Sequence, residues 1–408
     1  MKEKNKKLII ITGILLFGSL AFGHFTYKDI LKENNKEEVV SENKSIAAFI
    51  KQDDGTYKET EVIPTDGYIL NEKKSTCSNG AKVRWKNNEL ITSNLTKNGT
   101  KCYLYFDKIQ YTCKGAACDA IMANMNAFKT RDDFSTTLAD TTTGVIYKSL
   151  DANQYDDNGE VYYFAGNPTD NWIKFAGYYW RIIRINGDGT IRMIYNGPTT
   201  DQTGTGTQTT TSAFNSSYKN NMYVGYQYTS GSVHGNGTNS TIKGVLDNWY
   251  SSNLGGYASK IATGGGASFC NDRTPHSGPG TGSTYTEYAA YNRLYTNKIP
   301  TFKCANTSDR FATSIGLITA DEVAYAGGVF NTNNSGYYLY TNQYYWTMSP
   351  SNLSSSIASV FYVYSYGYLN YSGAGWTASG VRPVINLKAD TTFADGGTGT
   401  ADNPYVVS

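Results

Sequence analysis

Short apolar, strand-like segments separated by polar turn and loop residues make up most of this chain, whereas helical spacing appears only in short stretches. Between residues 45 and 108 the segments SIAAFI, YKETEVI and KCYLYFDK alternate with the turn pairs Asp54-Gly55, Asn79-Gly80 and Asn98-Gly99. That punctuation predicts a small β module. Further on, strands are predicted over 161–165, 172–175 and 178–185. The last leads through Asn186-Gly187-Asp188-Gly189 into a returning strand over 190–195, a strong hairpin signal because these turn residues tolerate positive φ.

Three helices are predicted. The segment 113–129 places Ile121, Met122, Met125 and Phe128 on one face, with the methionines as core filler. Ile242, Val245, Leu246, Trp249 and Leu254 recur at helical spacing before Gly255-Gly256, read as a glycine C-cap. In LITADEVAYAGG, Thr319 and Glu322 form a capping box and Gly327-Gly328 closes a two-turn helix. Between them, 198–241 and 264–285 are rich in Thr, Gly, Ser and Asn and read as long surface loops.

The first residues bear on location. Lys2, Lys4, Lys6 and Lys7 precede an uncharged apolar run from Leu8 to Phe25, just long enough for a membrane helix, and the lysines keep that end cytoplasmic. Everything after Tyr27 is then expected outside the cell membrane. Ala21-Phe22-Gly23 resembles a signal-peptidase site, so the chain is secreted if that site is cut and single-pass if, as we read it, the anchor stays. The expected organisation is an anchor over 1–27, a charged stalk over 28–44, a β module over 45–108, a helical connector over 109–143 and a recognition domain over 144–408.

Six cysteines in such a chain predict three disulfides. Of 15 possible pairings, sequence proximity favours Cys77–Cys102, Cys113–Cys118 and Cys270–Cys304. No zinc spacing surrounds them. Asp156-Asp157-Asn158-Gly159 lacks the ligand spacing of an EF-hand and reads as a turn. His234 and His276 sit in glycine-rich loops with no partner His, Cys or carboxylate cluster and read as solvated. We therefore expect no metal, no cofactor and no catalytic residue. A net charge of +2 leaves no basic footprint for nucleic acid.

The most informative stretch runs from Tyr344 to Leu387, where an aromatic frame encloses a Tyr/Ser/Asn/Gly vocabulary of the kind paratopes use. Candidate ligand contacts are Tyr344, Ser351, Asn352, Tyr362, Tyr364, Tyr366, Tyr368, Asn370 and Tyr371. If Tyr362, Tyr364, Tyr366, Tyr368 and Tyr371 lie around one hairpin, alternation puts Tyr362, Tyr364, Tyr366 and Tyr368 on one face and Phe361, Val363 and Leu369 on the other, with Ser351, Asn352 and Asn370 in the adjoining loops. Since tyrosine is abundant throughout, with 35 in the chain, strands of a half-exposed sheet remain the competing reading.

The short helix ADEVAYAGG, the glycine-rich loops, the strand YYWTMSPS and the closing Gly380-Val381-Arg382-Pro383 together resemble the C-type-lectin-like fold of formylglycine-generating-type domains and of retroelement-diversified surface receptors, over roughly 144–388. The resemblance implies a β-rich α+β domain with short helices and long loops, in which Trp346, Trp376 and Arg382 are structural. It also implies an unknown extracellular protein or glycan as ligand. Two departures limit what it carries. No Cys follows Cys304, where formylglycine-generating enzymes need late cysteines, and the Glu-Pro-Asn, Gln-Pro-Asp and Trp-Asn-Asp tripeptides of calcium-dependent lectins are missing. A non-catalytic adhesin or receptor is the reading taken, against an enzyme on the same fold and a purely architectural envelope protein.

Overall fold

The computed structural model describes residues 44–408 except 53, 65–67, 87–88, 96–98 and 109–110. The expected membrane segment and nearly all of the charged stalk lie outside the described residues. Among the described residues no helix is long and apolar enough to cross a membrane.

The chain forms two units, one containing residues up to 112 together with 126–130, the other 113–125 together with 131–408. In the smaller unit the strands Lys44–Lys51 and Thr100–Lys108 run parallel in register, with Tyr57–Thr60 antiparallel on the first and Tyr68–Leu70 and Thr76–Cys77 antiparallel on the second. Alternation decides what is buried: Cys102, Leu104 and Phe106 point inward with Ala48, Leu70 and Leu90 to make a small core. Cys77 lies opposite Cys102 in the ladder, and the two are joined. A core of this size gains from such a closure.

The larger unit is built on two sheets. In the first, Val384–Leu387, Ile191–Tyr195, Tyr178–Ile185, Tyr162–Tyr163 and Val145–Lys148 follow one another, each antiparallel to the next. The expected hairpin is there: Tyr178–Ile185 returns as Ile191–Tyr195, with Gly189 at φ 89° and the Asp188 carboxylate accepting from the Thr190 N–H and hydroxyl. Both strands are covered on both faces, so Arg181, Arg184 and Arg192 are carried into the interior. The second sheet centres on Tyr345–Ser354, paired antiparallel with Thr286–Tyr288 and with Ile357–Val363, which pairs in turn with Leu369–Gly373. Gly380–Val381 joins its edge and carries Thr210–Thr211.

Helices are short, and the sequence expectations need two corrections. The helix expected over 113–129 spans only Ala116–Met122, and Phe128 belongs to the strand Ala127–Lys129. The helix Thr241–Asn253 is capped at its start by Ser240 but closes at Leu254, because Gly255 opens a 3₁₀ turn instead of adopting the left-handed cap. The capping box at Thr319 and Glu322 forms as expected, and Gly327 at φ 122° ends the helix Ala320–Ala326. All three cysteine pairs are bonded as sequence proximity suggested. The protein is thus β-rich α+β with short helices, held by disulfides that suit an oxidising, extracellular environment.

Candidate functional site

The tyrosine-rich segment folds as a hairpin with a three-residue loop, Ser365-Tyr366-Gly367. Tyr364 N–H donates to Tyr368 O at 2.8 Å, and Gly367 N–H to Tyr364 O at 2.8 Å. Gly367 adopts φ 81°, and a Cβ there would collide with the backbone of Asn334, so glycine is required. The turn sets Tyr364 and Tyr368 directly across from each other. Their rings stack at 4.6 Å between centroids with planes 6° apart.

Around this pair the chain collects further aromatic rings. Tyr344 meets Tyr364 edge-on at 4.8 Å and Trp376 at 5.1 Å, Tyr362 lies 5.3 Å from Trp376, and Tyr366 lies 5.4 Å from Tyr364. Trp346 closes the floor, fully buried, its indole N–H donating to Ser212 O at 2.8 Å. Tyr344, Tyr364, Tyr368 and Trp376 are half-buried and Tyr366 is 56% exposed, which gives an aromatic surface standing on an aromatic floor. The Tyr364 phenol donates to Tyr344; this pushes Tyr364 up to about 12 and holds Tyr344 below its ordinary value.

Not every candidate residue belongs to this surface. Tyr362 is 7% exposed and acts as floor. Ser351 and Asn352, expected in loops, are buried within the ten-residue strand Tyr345–Ser354, which continues past Pro350 through register shifts on either side of it. Asn370 spends its amide on Asn331 at 3.0 Å and its oxygen on the Tyr371 N–H at 2.7 Å. Tyr371 pairs across the ladder with Phe361, so it faces away from Tyr362 and packs near Tyr291 and Phe330. Trp376, expected in the buried frame, stands in the surface cluster. Arg382 is structural: it is fully buried, stacks over Tyr345 at 4.7 Å and donates to Leu339 O, Tyr195 O and Asn196 Oδ1.

A second constellation escaped the sequence reading. Glu322 Oε1 lies 2.9 Å from Arg184 Nε and 2.6 Å from Arg192 Nε, and Oε2 accepts from the Thr319 N–H at 2.9 Å. Burial alone would raise this carboxyl, but the two guanidiniums hold it below its ordinary value. Asp156 also takes Arg184, at 3.2 Å. Beside them Arg293, on the π-helical turn Asn292–Asn297, bridges Asp272 at 2.5 Å and Asp321 at 2.8 Å. Desolvation pushes Asp272 up to about 6 against the pull of Arg293. These groups line a cleft of about 50 Å³ together with the Cys270–Cys304 bridge, room for a water or two and little more.

His234, expected to be a solvated loop histidine, instead ties two loops. Its Nδ1 sits 3.0 Å from the buried Asp309 and its Nε2 3.0 Å from Asn306 Nδ2. His276 is exposed, and Glu287 accepts from the Tyr285 phenol, while Asp272 is taken by Arg293, so each of these groups has a different use. Among the described residues no group of three or more His, Cys, Asp or Glu could hold a metal ion. Comparison with protein-family models, with curated proteins and with solved structures finds no match.

Proposed function

We propose that this chain is a membrane-tethered extracellular ligand-binding protein, adhesin- or receptor-like and non-catalytic, whose larger unit is a C-type-lectin-like recognition domain. The observation that carries the reading is the aromatic surface of Tyr344, Tyr364, Tyr366, Tyr368 and Trp376. Tyr and Trp place large amphipathic area at a surface with few rotors to freeze on binding, and anchors of this type dominate measured binding energies. The ring pair Tyr364 and Tyr368 is fixed by a glycine-dependent turn before any ligand arrives, so little ordering entropy opposes association.

The bonded cysteines support placement outside the cell, since such bridges persist in oxidising compartments. The lysine-flanked apolar run at the N-terminus supports tethering. The carboxylates and guanidiniums of the larger unit's polar centre are bridged to one another, although Arg192 Nη1 and Asp272 Oδ1 are left without a hydrogen-bond partner, and this pairing favours a structural use for them over acid–base work. Screening the chain against glycan and cell-surface-protein arrays tests the proposal. A ligand whose capture is lost on Tyr364→Ala supports recognition at this surface; capture unaffected by that change refutes it.

A further inference from the structure

The geometry points to a neutral carbohydrate chain as the ligand of the aromatic surface, an inference that rests on the recognition reading above and adds the chemical class. The deciding observation is charge. From Val323 to Val381 the sequence contains no Asp, Glu, Lys, Arg or His, and this holds for the exposed and half-buried residues of the stretch as well as for its buried strands and helix. The neighbouring segment from Gln202 to Tyr218 is equally free of them. Parts of these two segments pack together beside the aromatic surface. Gln208 Nε2 donates to Tyr344 O, Trp346 donates to Ser212 O, the strand Thr210–Thr211 pairs with Gly380–Val381, and Ala358 N–H donates to Tyr218 O.

Each class of macromolecule meets such a surface differently. Single-stranded nucleic acid stacks on aromatic rings too, but its backbone needs a cationic groove, and neither segment has a cation. A protein partner can lay a charge-depleted aromatic core on such rings, but its rim brings charged groups, and these find no counter-charge on either segment. A neutral sugar chain brings no charge at all. Its pyranose rings offer an apolar C–H face to the aromatic rings and a rim of hydroxyls to phenols and amides. Here the stacked Tyr364 and Tyr368, with Tyr344 and Trp376 beside them, provide the ring surface, and the exposed Thr210 and Thr211 with the half-buried Gln208 provide uncharged hydrogen-bonding groups.

Direct titration of the full-length chain with neutral hexasaccharides (β-1,4-glucan, β-1,4-mannan and chitin series), with the anionic polymers hyaluronan and polygalacturonate, and with a cell-surface-protein array tests the class. The expected result is binding to at least one neutral hexasaccharide, changing less than about twofold between 50 and 500 mM NaCl because no counter-ions are released. Tyr364→Ala and Tyr368→Ala should each weaken it about tenfold or more. Tyr295→Ala, an exposed ring packed against Tyr291 and Phe330 instead, should leave it unchanged. Failure of every neutral hexasaccharide to bind, or preferential salt-sensitive capture of the anionic polymers, overturns the inference. Tyr364-dependent capture of proteins alone overturns the carbohydrate class and leaves recognition standing; capture of anything independent of Tyr364 and Tyr368 overturns both.

Discussion

The polar centre around Glu322 and the aromatic surface around Tyr364 lie in the same unit and invert the usual distribution of side chains. Charges are inside and paired; neutral rings are outside. Arg184, Arg192 and Glu322 are buried, and the carboxylate answers both guanidiniums while capping its own helix. At the aromatic surface the rings contact mainly one another, and a 56% exposed tyrosine stands at the tip. The difference teaches where function is to be sought. A buried charge already bridged within its own fold has little left to offer a ligand, whereas an exposed ring on a rigid turn has a whole face to offer.

The comparison breaks most visibly if the polar centre proves dispensable. Glu322→Ala leaves two buried guanidiniums facing one another without their shared carboxylate, and unfolding by denaturant should show a loss of about 3–5 kcal/mol. A loss below about 1 kcal/mol would mean that the centre is not structural. Next in size is the Cys270–Cys304 bridge, which closes a sequence separation of 34 beside that centre. Replacing both with Ala should cost about 2–4 kcal/mol. Six thiols titrating in the denatured, unreduced protein would contradict the bonded state altogether.

A finer probe is pH. Asp272 titrates near 6 in the folded protein because burial disfavours its charged form, while its ordinary value is 3.8. A carboxyl raised in this way contributes stability that is complete below about pH 4 and is lost as pH rises through about 6, a change of roughly 1–3 kcal/mol. Glu322 works in the opposite sense: held low, it contributes above its ordinary value of 4.5 and loses that contribution as pH falls. Thermal midpoints of Asp272→Asn and the parent between pH 4 and 7 separate the two, since the variant lacks the decline due to Asp272. Parallel curves would show that Asp272 does not titrate in this window.

Much of the frame was legible because its signals are local. The Asn186-Gly187-Asp188-Gly189 turn, the Thr319/Glu322 capping box and the three short-range cysteine pairs each depend on residues near in sequence. The polar centre was not legible, for Arg184, Arg192, Asp272, Arg293 and Glu322 converge from distant segments with no spacing rule to link them. The site was legible in part. Period-two alternation placed Tyr362 and Tyr364 on one face and, two residues beyond Leu369, implies Tyr371 on the other, but it could not foresee that Gly367 would turn the chain at Tyr366, nor that the strand would run on past Pro350 and bury Ser351 and Asn352. A further signal in the sequence is the absence of charge from Val323 to Val381 and over 202–218, two segments that meet beside the site.

The most direct test of the account is a paired measurement, ligand affinity and thermal midpoint, on Tyr364→Ala and Tyr366→Ala in the same preparation as the parent. The account predicts that Tyr364→Ala lowers affinity by about 2 kcal/mol, that Tyr366→Ala lowers it by less, and that both change stability by under about 1 kcal/mol because these rings stand at the surface. Midpoints falling by several degrees in both variants while binding persists would show that these tyrosines are core and that recognition lies elsewhere.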